Sequence, residues 1–465
     1  MTEELWAQPI EQLAPAIRSG KVSPVALTEA CLDRIAEVDA RLRSFIQVSA
    51  GALDAARTAE REIADGRWRG PLHGIPIGVK DNYFTQDMPT TAGSTAPGLA
   101  FPMRDSAAAA RLRNAGAILI GKTRTHEFAW GNVTPPVANP WDLTRVPSGS
   151  SGGSGAAVAA GLCAAGLGSD TGGSIRMPAS ACGTVGLKPT FGRVSRDGIV
   201  PHSWSLDHAG PLTRTVTDTA HLMQVLAGYD PADPACQDRA VPDYRRALGR
   251  PIKGMTVGIC RNHFFDALQE DVEKSVEQAI DALARAGAHI REFRIPLLEY
   301  GLGAIFAIEL SSSTAYHDQS LLAGRAAHFT PDVRTLVEMG RLVTGADYLK
   351  AEQYRQALML EYRIAFQSVD VVVGPTTPIT AWRHGKWEVQ VAGGQQESVL
   401  AASWRFTYPY NLTGLPAISV PCGFDRDGLP IGLQIAGRPF DEPAVLRVAH
   451  AYERAHPWKN LMPPL

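Results

Sequence analysis

The N-terminal part of the chain carries apolar residues at helical spacing. Leu27, Cys31 and Ile35 recur four residues apart and so share one face of a helix. Ser23 and the proline after it are typical of a helix start, because serine caps the first free N–H groups and proline suits the first helical position. We therefore predict that residues 1–66 are helical.

Beyond this segment, short apolar runs alternate with helical stretches. GIPIGVKD at 74–81 and AILIG at 117–121 have the length and the branched residues of strands. Strands that alternate with helices indicate an α/β sheet with parallel pairing. Further strands are predicted at 255–260, 289–295, 369–375, 417–423 and 431–437, with helices near 105–115, 270–286 and 346–367 and from 441 onward.

Composition and charge narrow the class of protein. Apolar residues make up 45% of the chain, and 45 Lys and Arg nearly balance 47 Asp and Glu, which argues against a nucleic acid or an anionic membrane as partner. The six cysteines form neither CxxC pairs nor a zinc-site spacing, so they suit a reducing compartment. The acidic start MTEELWAQPIEQ lacks an apolar leader core, and no apolar run approaches the ~18 residues of a membrane span. We expect a cytoplasmic protein.

Two glycine- and serine-rich segments interrupt this pattern, GSSGGSG at 149–155 and GSDTGGSIR at 168–176. Only small or apolar residues lie between them, which predicts a closely packed helix over 156–167. Such a helix would anchor both segments to the core, although plain structural turns are the simpler explanation for glycine and serine clusters. A flexible linker is not expected here.

The second segment has the composition of an anion-binding backbone. Glycines let successive N–H groups turn toward one point, where they can hold a phosphate or the oxyanion of a reacting carbonyl. Ser174 directly follows Thr171, Gly172 and Gly173. It is therefore placed to attack a carbonyl while their N–H groups hold the oxyanion.

A serine nucleophile needs a base, and Lys80 at the end of GIPIGVK is the best candidate. To act as a base it must be neutral, so burial must lower its pKa from ~10.4 to near 7, at a cost of about 4 kcal/mol. Ser150 could relay the proton between Lys80 and Ser174. The histidine candidates lie outside any GxSxG context and are explained as solvated or core residues: His126, His202 and His208.

These residues, in this order, resemble the amidase signature family, whose catalytic triad is Ser-Ser-Lys. GVKD supplies Lys80, GSSGGSG supplies Ser150 and GSDTGGSIR supplies Ser174, with the family's separation of 24 positions between the two serines. The likeness continues through PASACGTVGLKPTFGRVSRDGIVP and SLDHAGPLTRTVTD and returns at YNLTGLPAISVPCG and DGLPIGLQIAGRPFDE. It covers nearly the whole chain and is weakest between about 230 and 400.

The resemblance implies one α/β/α domain over residues 1–465, in which helices cover both faces of a large mixed, mostly parallel sheet. Its expected parts are the helical segment 1–66, the amidase signature core 67–225, a variable substrate-side region 226–410, and C-terminal strands and a helix at 411–465.

The resemblance also implies a reaction, hydrolysis of an amide through an acyl-enzyme. Ser174 would attack, Ser150 and Lys80 would move the proton, and Thr171, Gly172 and Gly173 would form the oxyanion hole. Asp170 and Arg176 are expected to support the nucleophile from behind, with a surface ion pair as the alternative. No metal or organic cofactor is expected.

Three other functions are compatible with parts of the sequence. The glutamine-hydrolysing component of the tRNA-dependent amidotransferase resembles GKTRTHEFAWG and RVSRDGIVP, but Trp404 stands where that component has an acidic residue for the amino group of glutamine, and the stretch around Arg334 lacks its double arginine. GAILIGKT at 116–123 formally matches a phosphate-binding loop, yet its variable positions form an apolar strand. A family member without catalysis is disfavoured because all three triad positions are intact.

The substrate is a small-molecule amide whose identity the sequence leaves open. Ser151, Trp130 and Trp404 are the candidate substrate contacts, since each lies beside a family motif. Trp204 and Trp382 lie in variable segments and are weaker candidates. A homodimer is the expected assembly for a soluble enzyme of this size.

Overall fold

A computed structural model of the chain describes residues 4–458 and 461–465. The first three residues of the acidic N-terminal stretch lie outside the described residues. The helices are α1 (Ile10–Arg18), α2 (Pro24–Leu42), α3 (Ala52–Ala64), α4 (Ala107–Asn114), α5 (Gly152–Ala159), α6 (Arg176–Cys182), α7 (Val216–Leu226), α8 (Arg261–Phe264), α9 (Glu270–Arg285), α10 (Gly301–Leu322), α11 (Pro331–Met339), α12 (Gly345–Ala365), α13 (Val399–Trp404), α14 (Tyr408–Leu412) and α15 (Glu442–Ala455).

The strands within the described residues form one large sheet and a small hairpin. They are β1 (Phe45–Val48), β2 (Pro76–Lys80), β3 (Ile118–Thr123), β4 (Ala165–Asp170), β5 (Val185–Lys188), β6 (His208–Thr213), β7 (Thr256–Cys260), β8 (His289–Phe293), β9 (Val371–Pro375), β10 (Glu388–Gln390), β11 (Gln396–Ser398), β12 (Ala417–Phe424) and β13 (Pro430–Gly437). The hairpin is β10 with β11, and the large sheet has the order β1-β3-β2-β4-β6-β5-β12-β13-β9-β7-β8.

The large sheet is mixed and lies between helices, as predicted. Parallel pairing joins β2 to β3 and β4 on one side of the sheet, and β7 to β8 and β9 on the other. The central strands from β4 through β6, β5, β12 and β13 to β9 pair antiparallel. The parallel pattern expected from alternating strands and helices therefore holds in two groups, and antiparallel strands connect them.

Helix α2 begins where the sequence indicated, directly after Ser23. The Ser23 side chain accepts hydrogen bonds from the N–H groups of Val25 and Ala26 at 3.0 and 3.1 Å. The prediction that residues 1–66 are helical misses one strand, β1, which pairs antiparallel with β3. With four residues, β1 is too short to carry a readable alternation.

The predicted helix over 156–167 is wrong after Ala159. Helix α5 ends at Ala159, Gly161 turns the chain with φ of 75°, and β4 begins at Ala165. Because β4 lies between β2 and β6 and is buried on both faces, its residues are small and apolar without alternation, and so resemble a buried helix.

This arrangement brings the motifs together. Strands β2 and β4 are parallel neighbours, with Gly78 opposite Gly166 and Val79 opposite Leu167. Their carboxyl ends therefore meet at one edge of the sheet, where Lys80 ends β2 and Asp170 ends β4.

The phosphate-loop alternative is excluded by the sheet. Residues 118–123 of GAILIGKT are strand β3, which is buried throughout. Lys122 donates from Nζ to the Tyr83 carbonyl at 2.6 Å and to Thr90 Oγ1 at 2.8 Å. The lysine is engaged inside the protein and does not face a phosphate.

All six cysteines are free thiols, and five of them are buried.

Across the part of the chain that the structure describes, no helix combines the length and the apolar character that crossing a bilayer requires.

Candidate active site

Lys80 is fully buried at the end of β2, and two serine hydroxyls surround its amine. Its Nζ donates to Ser150 Oγ at 2.8 Å and to Ser169 Oγ at 2.8 Å. Among the described residues no carboxylate lies within 4.0 Å of this amine, since none of their ion pairs includes Lys80. The amine is therefore solvated only by hydroxyl groups.

Burial lowers the pKa of the Lys80 amine from 10.5 to about 7. The carboxylates of Asp170 and Asp207 act in the opposite direction but are too far away to restore the ordinary value. A substantial fraction of Lys80 is thus neutral at pH 7, with a lone pair that can accept a proton.

Ser169 was not predicted as a site residue. Its hydroxyl accepts from Lys80 and also from Asn82 Nδ2, at 3.0 Å. The residue lies near the end of β4, two positions beyond the predicted helix over 156–167, in a segment that was not predicted as a strand. Recognising β4 as a strand would have placed Ser169 beside Lys80.

A backbone hydrogen bond joins the segment that carries Ser150 to the segment that carries Ser174. The Ser151 N–H donates to the Ser174 carbonyl at 3.2 Å, which fixes the two segments side by side. Within the described residues Ser174 Oγ makes no hydrogen bond, and it lies on the wall of an apolar pocket. Its hydroxyl is therefore free to meet a ligand.

The backbone before Ser174 has free donors. The N–H groups of Thr171, Gly172, Gly173 and Ser174 donate to no acceptor among the described residues. A Cβ on Gly172 would collide with the Trp404 indole nitrogen, and Gly173 has φ of 144°, so neither position accepts a larger residue.

Asp207 was also missed by the sequence analysis, and it stiffens this loop. It accepts from Thr171 Oγ1 at 2.7 Å and from the N–H groups of His202 and Ser203 at 2.9 to 3.1 Å. One acidic side chain in SLDHAG would not by itself have indicated this contact, which spans 36 positions of sequence.

Asp170 and Arg176 form a fully buried pair behind the nucleophile. Arg176 donates from Nε and from one terminal nitrogen to the two carboxylate oxygens, at 3.0 and 2.9 Å. Its other donors reach the Thr407 carbonyl, Gln434 Oε1 and Asn411 Oδ1 at 2.6 to 2.8 Å. Burial alone would raise the pKa of the Asp170 carboxyl, but Arg176 holds it well below its ordinary value. The pair is not on the surface.

An apolar pocket opens beside Ser174. Trp130 and Trp404, both predicted as substrate contacts, line it together with Phe306, Met177, Leu336 and Leu400. The Trp130 Nε1 donates to Ser313 Oγ at 2.8 Å, and the Trp404 ring meets the Phe306 ring edge-on at 5.0 Å. Both indoles are thereby fixed in place.

Ser151, which was predicted to contact the substrate, points away from the pocket and toward β4. It is fully buried, and its hydroxyl donates to the Ser169 carbonyl at 3.2 Å and accepts from the Ser169 N–H at 3.3 Å. Both capacities of the hydroxyl are used by β4, so Ser151 does not line the pocket. Of the two other tryptophans considered, Trp204 is exposed, and Trp382 packs in a separate apolar cluster.

No histidine among the described residues hydrogen-bonds to Ser174. The His208 ring nitrogen Nδ1 lies 2.6 Å from the Leu206 carbonyl, and His126 Nε2 lies 3.0 Å from Asp332. His202 lines the pocket, and burial lowers its pKa to about 4. Each is explained without a role as base.

One acidic residue of the pocket wall was also missed. Glu309 on α10 lines the pocket beside His202 and is almost completely buried. Its signal in the sequence is a lone carboxyl within the apolar stretch GLGAIFAIEL, in the region where the family likeness is weakest.

The comparison with known proteins decides the family. The family model Amidase matches residues 26–446. The chain belongs to the amidase family. It is therefore an enzyme that hydrolyses amide carbon–nitrogen bonds.

The relatives of this amidase-family chain carry two kinds of name. An amidase of Pseudomonas putida is 44% identical over 98% of the chain and 97% of its own length. The A subunit of the glutamyl-tRNA(Gln) amidotransferase of Roseiflexus sp. (strain RS-1) is 43% identical over 97% of the chain and 96% of its own length. The crystal structure of the peptide amidase from Stenotrophomonas maltophilia superposes with a TM-score of 0.84 at 32% identity, covering 96% of each chain.

Proposed function

We propose that this enzyme is an amidase that cleaves a small-molecule carboxamide to a carboxylate and ammonia or an amine. Ser174 is the nucleophile, Lys80 the base and Ser150 the relay. The observation that carries the proposal is the buried Lys80 amine, 2.8 Å from the Ser150 hydroxyl and without a carboxylate partner. An amine in this setting can take a proton at neutral pH, as a serine nucleophile requires.

The proposed proton path runs through this contact between Lys80 and Ser150. Ser174 Oγ attacks the carbonyl carbon and gives its proton to Ser150 Oγ, which passes its own proton to the Lys80 lone pair. The Lys80 ammonium returns a proton through Ser150 to the leaving nitrogen as the carbon–nitrogen bond breaks. Water then attacks the ester by the same route and releases the acid.

The free N–H groups of residues 171–174 supply the second part of the proposal. They lie next to Ser174 and have no partner within the described protein, so they can bind the oxygen of the tetrahedral intermediate. Asp207, through Thr171, and Arg176, through Asp170, keep this backbone in place.

A fluorophosphonate probe tests the nucleophile without a known substrate. We expect intact mass spectrometry to detect one adduct on the wild type and none on Ser174→Ala. Ser154→Ala is the matched control, because Ser154 is a buried hydroxyl of α5 outside the pocket, and it should still be labelled. Labelling of Ser174→Ala to the same extent as the wild type would overturn the assignment.

A second candidate is the glutaminase activity of the amidotransferase component named above. The observation in its favour is the 43% identity to such a protein over 97% of the chain. Against it, Trp404 occupies the pocket wall at the position where we expect that protein to hold an acid. Release of ammonia from L-glutamine at a rate above that from simple carboxamides would favour the second candidate.

A further inference from the structure

Glu309 is an acidic side chain that lacks a partner inside the catalytic pocket. Its Oε1 is buried and makes no hydrogen bond, and the residue is 1% exposed. Its Oε2 lies 3.7 Å from His202 Nε2, which is too far for a hydrogen bond. A buried carboxyl without partners destabilises the empty protein, so its presence calls for a reason.

The surroundings of Glu309 offer no structural reason. Its neighbours on α10, Ile305 and Ile308, are fully buried, and none of the polar groups that share the pocket wall with it hydrogen-bonds to its Oε1. His202, the nearest polar group, also has an unpartnered ring nitrogen, Nδ1. Two polar groups that the protein leaves unpaired thus lie on one wall of a pocket that reaches Ser174.

The charge around Glu309 is negative. Burial, then Asp207 and Asp170, raise the pKa of the Glu309 carboxyl well above its ordinary value, which favours its protonated form. A ligand N–H or O–H can pair with this carboxyl, and an ammonium group can replace its proton.

We propose that Glu309 selects amides that carry a second hydrogen-bond donor away from the scissile bond, and that an amide with an apolar end is a poor substrate. The inference rests on the proposed function. Glu309 is a specificity-determining residue here and takes no part in the proton path.

Binding to an inactive variant tests this independently of turnover. The Ser174→Ala protein is titrated with ω-methyl, ω-hydroxy and ω-amino amides of equal chain length, in a series from two to five methylenes. At the best length we expect the hydroxy or the amino compound to bind about tenfold or more tightly than the methyl compound, as expected for a buried group that regains its partner. Equal binding of the three at every length, or no binding by any of them, would overturn the proposal.

Variants of Glu309 separate selection from a structural role. In the Ser174→Ala background Glu309→Leu should reverse the preference toward the methyl compound, while in the wild type it should raise Tm, because an unpaired buried carboxyl is removed. Asp318→Asn, which also removes an acidic group from α10 but on its exposed side, should alter neither binding nor Tm. A fall in Tm with unchanged preference would assign Glu309 a structural role and overturn the proposal.

Glu309→Gln distinguishes the two donor chemistries. The glutamine side chain keeps the shape of Glu309 and a neutral acceptor oxygen, but it cannot become negatively charged. If the natural donor is neutral, Glu309→Gln should still bind the hydroxy compound. If the natural donor is an ammonium, Glu309→Gln should no longer bind the amino compound. If wild type hydrolyses none of these amides while Ser174→Ala still discriminates among them, the proposed function fails and the selection by Glu309 stands.

Discussion

Lys80 and Arg176 are both fully buried cations in one site, yet their surroundings differ. Arg176 has Asp170 against it and donates to four groups in all, including a carbonyl and two side-chain amide oxygens. Lys80 has only two hydroxyls. A buried cation with a carboxylate partner, such as Arg176, stays charged and supports the structure. A buried amine without such a partner, such as Lys80, loses its proton more easily and can act as a base.

Replacing Lys80 should have the largest effect. Lys80→Met removes the base and should lower kcat/KM on the order of 10³-fold or more, and it should also stabilise the fold because a buried amine is replaced by an apolar chain. Chemical denaturation alongside steady-state kinetics measures both. If Lys80→Met lowered the free energy of unfolding as well as kcat/KM, Lys80 would be a residue that stabilises the fold, like Arg176.

The difference in stability between the wild type and Lys80→Met should depend on pH. The Lys80 pKa is lowered to about 7 in the native state, and it is ~10.4 in the unfolded chain. Between these values the unfolded chain binds a proton that the native protein has released, so wild-type stability rises with pH. The stability advantage of Lys80→Met should therefore shrink from pH 7 to pH 10.

Breaking the paired cation should act through stability. Arg176→Met leaves Asp170 buried without its partner and should cost about 3–5 kcal/mol of unfolding free energy. The measurement is a denaturation midpoint. Arg426→Met is the control, because its ion pairs with Glu270 and Asp271 lie on the surface, and it should change stability little. If Arg176→Met and Arg426→Met lowered the free energy of unfolding by similar amounts, the buried pair would contribute no more to stability than a surface ion pair.

The pH dependence of activity should report Lys80 directly. A base must be neutral, so kcat/KM should fall about tenfold per pH unit below pH 7 and level off above it. Arg176→Lys, if folded, should keep the position of this limb, since it leaves the surroundings of the Lys80 amine intact. A limb near pH 4 would point to a carboxylate.

Ser169→Ala should have the smallest effect. The hydroxyl accepts from Lys80 and so favours the ammonium, and its loss should lower kcat/KM about three- to tenfold and move the acid limb to lower pH. A purely structural role would reduce the rate without moving the limb.

The local chemistry of the site was predictable from the sequence because short motifs encode it. The motifs predicted that Lys80, Ser150 and Ser174 lie together, and in the structure the Lys80 amine lies 2.8 Å from the Ser150 hydroxyl. The strand β4 was mistaken for part of a helix, since burial on both faces removes the alternation on which such predictions depend.

The pocket wall was less predictable. Glu309 and Phe306 come from α10, which has apolar residues on most of its faces and was not predicted as a helix at all. Asp207 meets Thr171 only through the pairing of β4 with β6, a long-range contact without local periodicity. These residues depend on tertiary packing, which one sequence does not display.

The central claim is that Lys80 is neutral near pH 7. A side-chain NMR titration of the chain labelled at its nine lysines tests it, with the Lys80 signal assigned by its loss in Lys80→Arg. Assignment is needed because Lys122 and Lys188 are also buried and also have lowered pKa values. We expect a midpoint near pH 7 for Lys80; a midpoint near pH 10 would show that the amine stays protonated at neutral pH and is not the base.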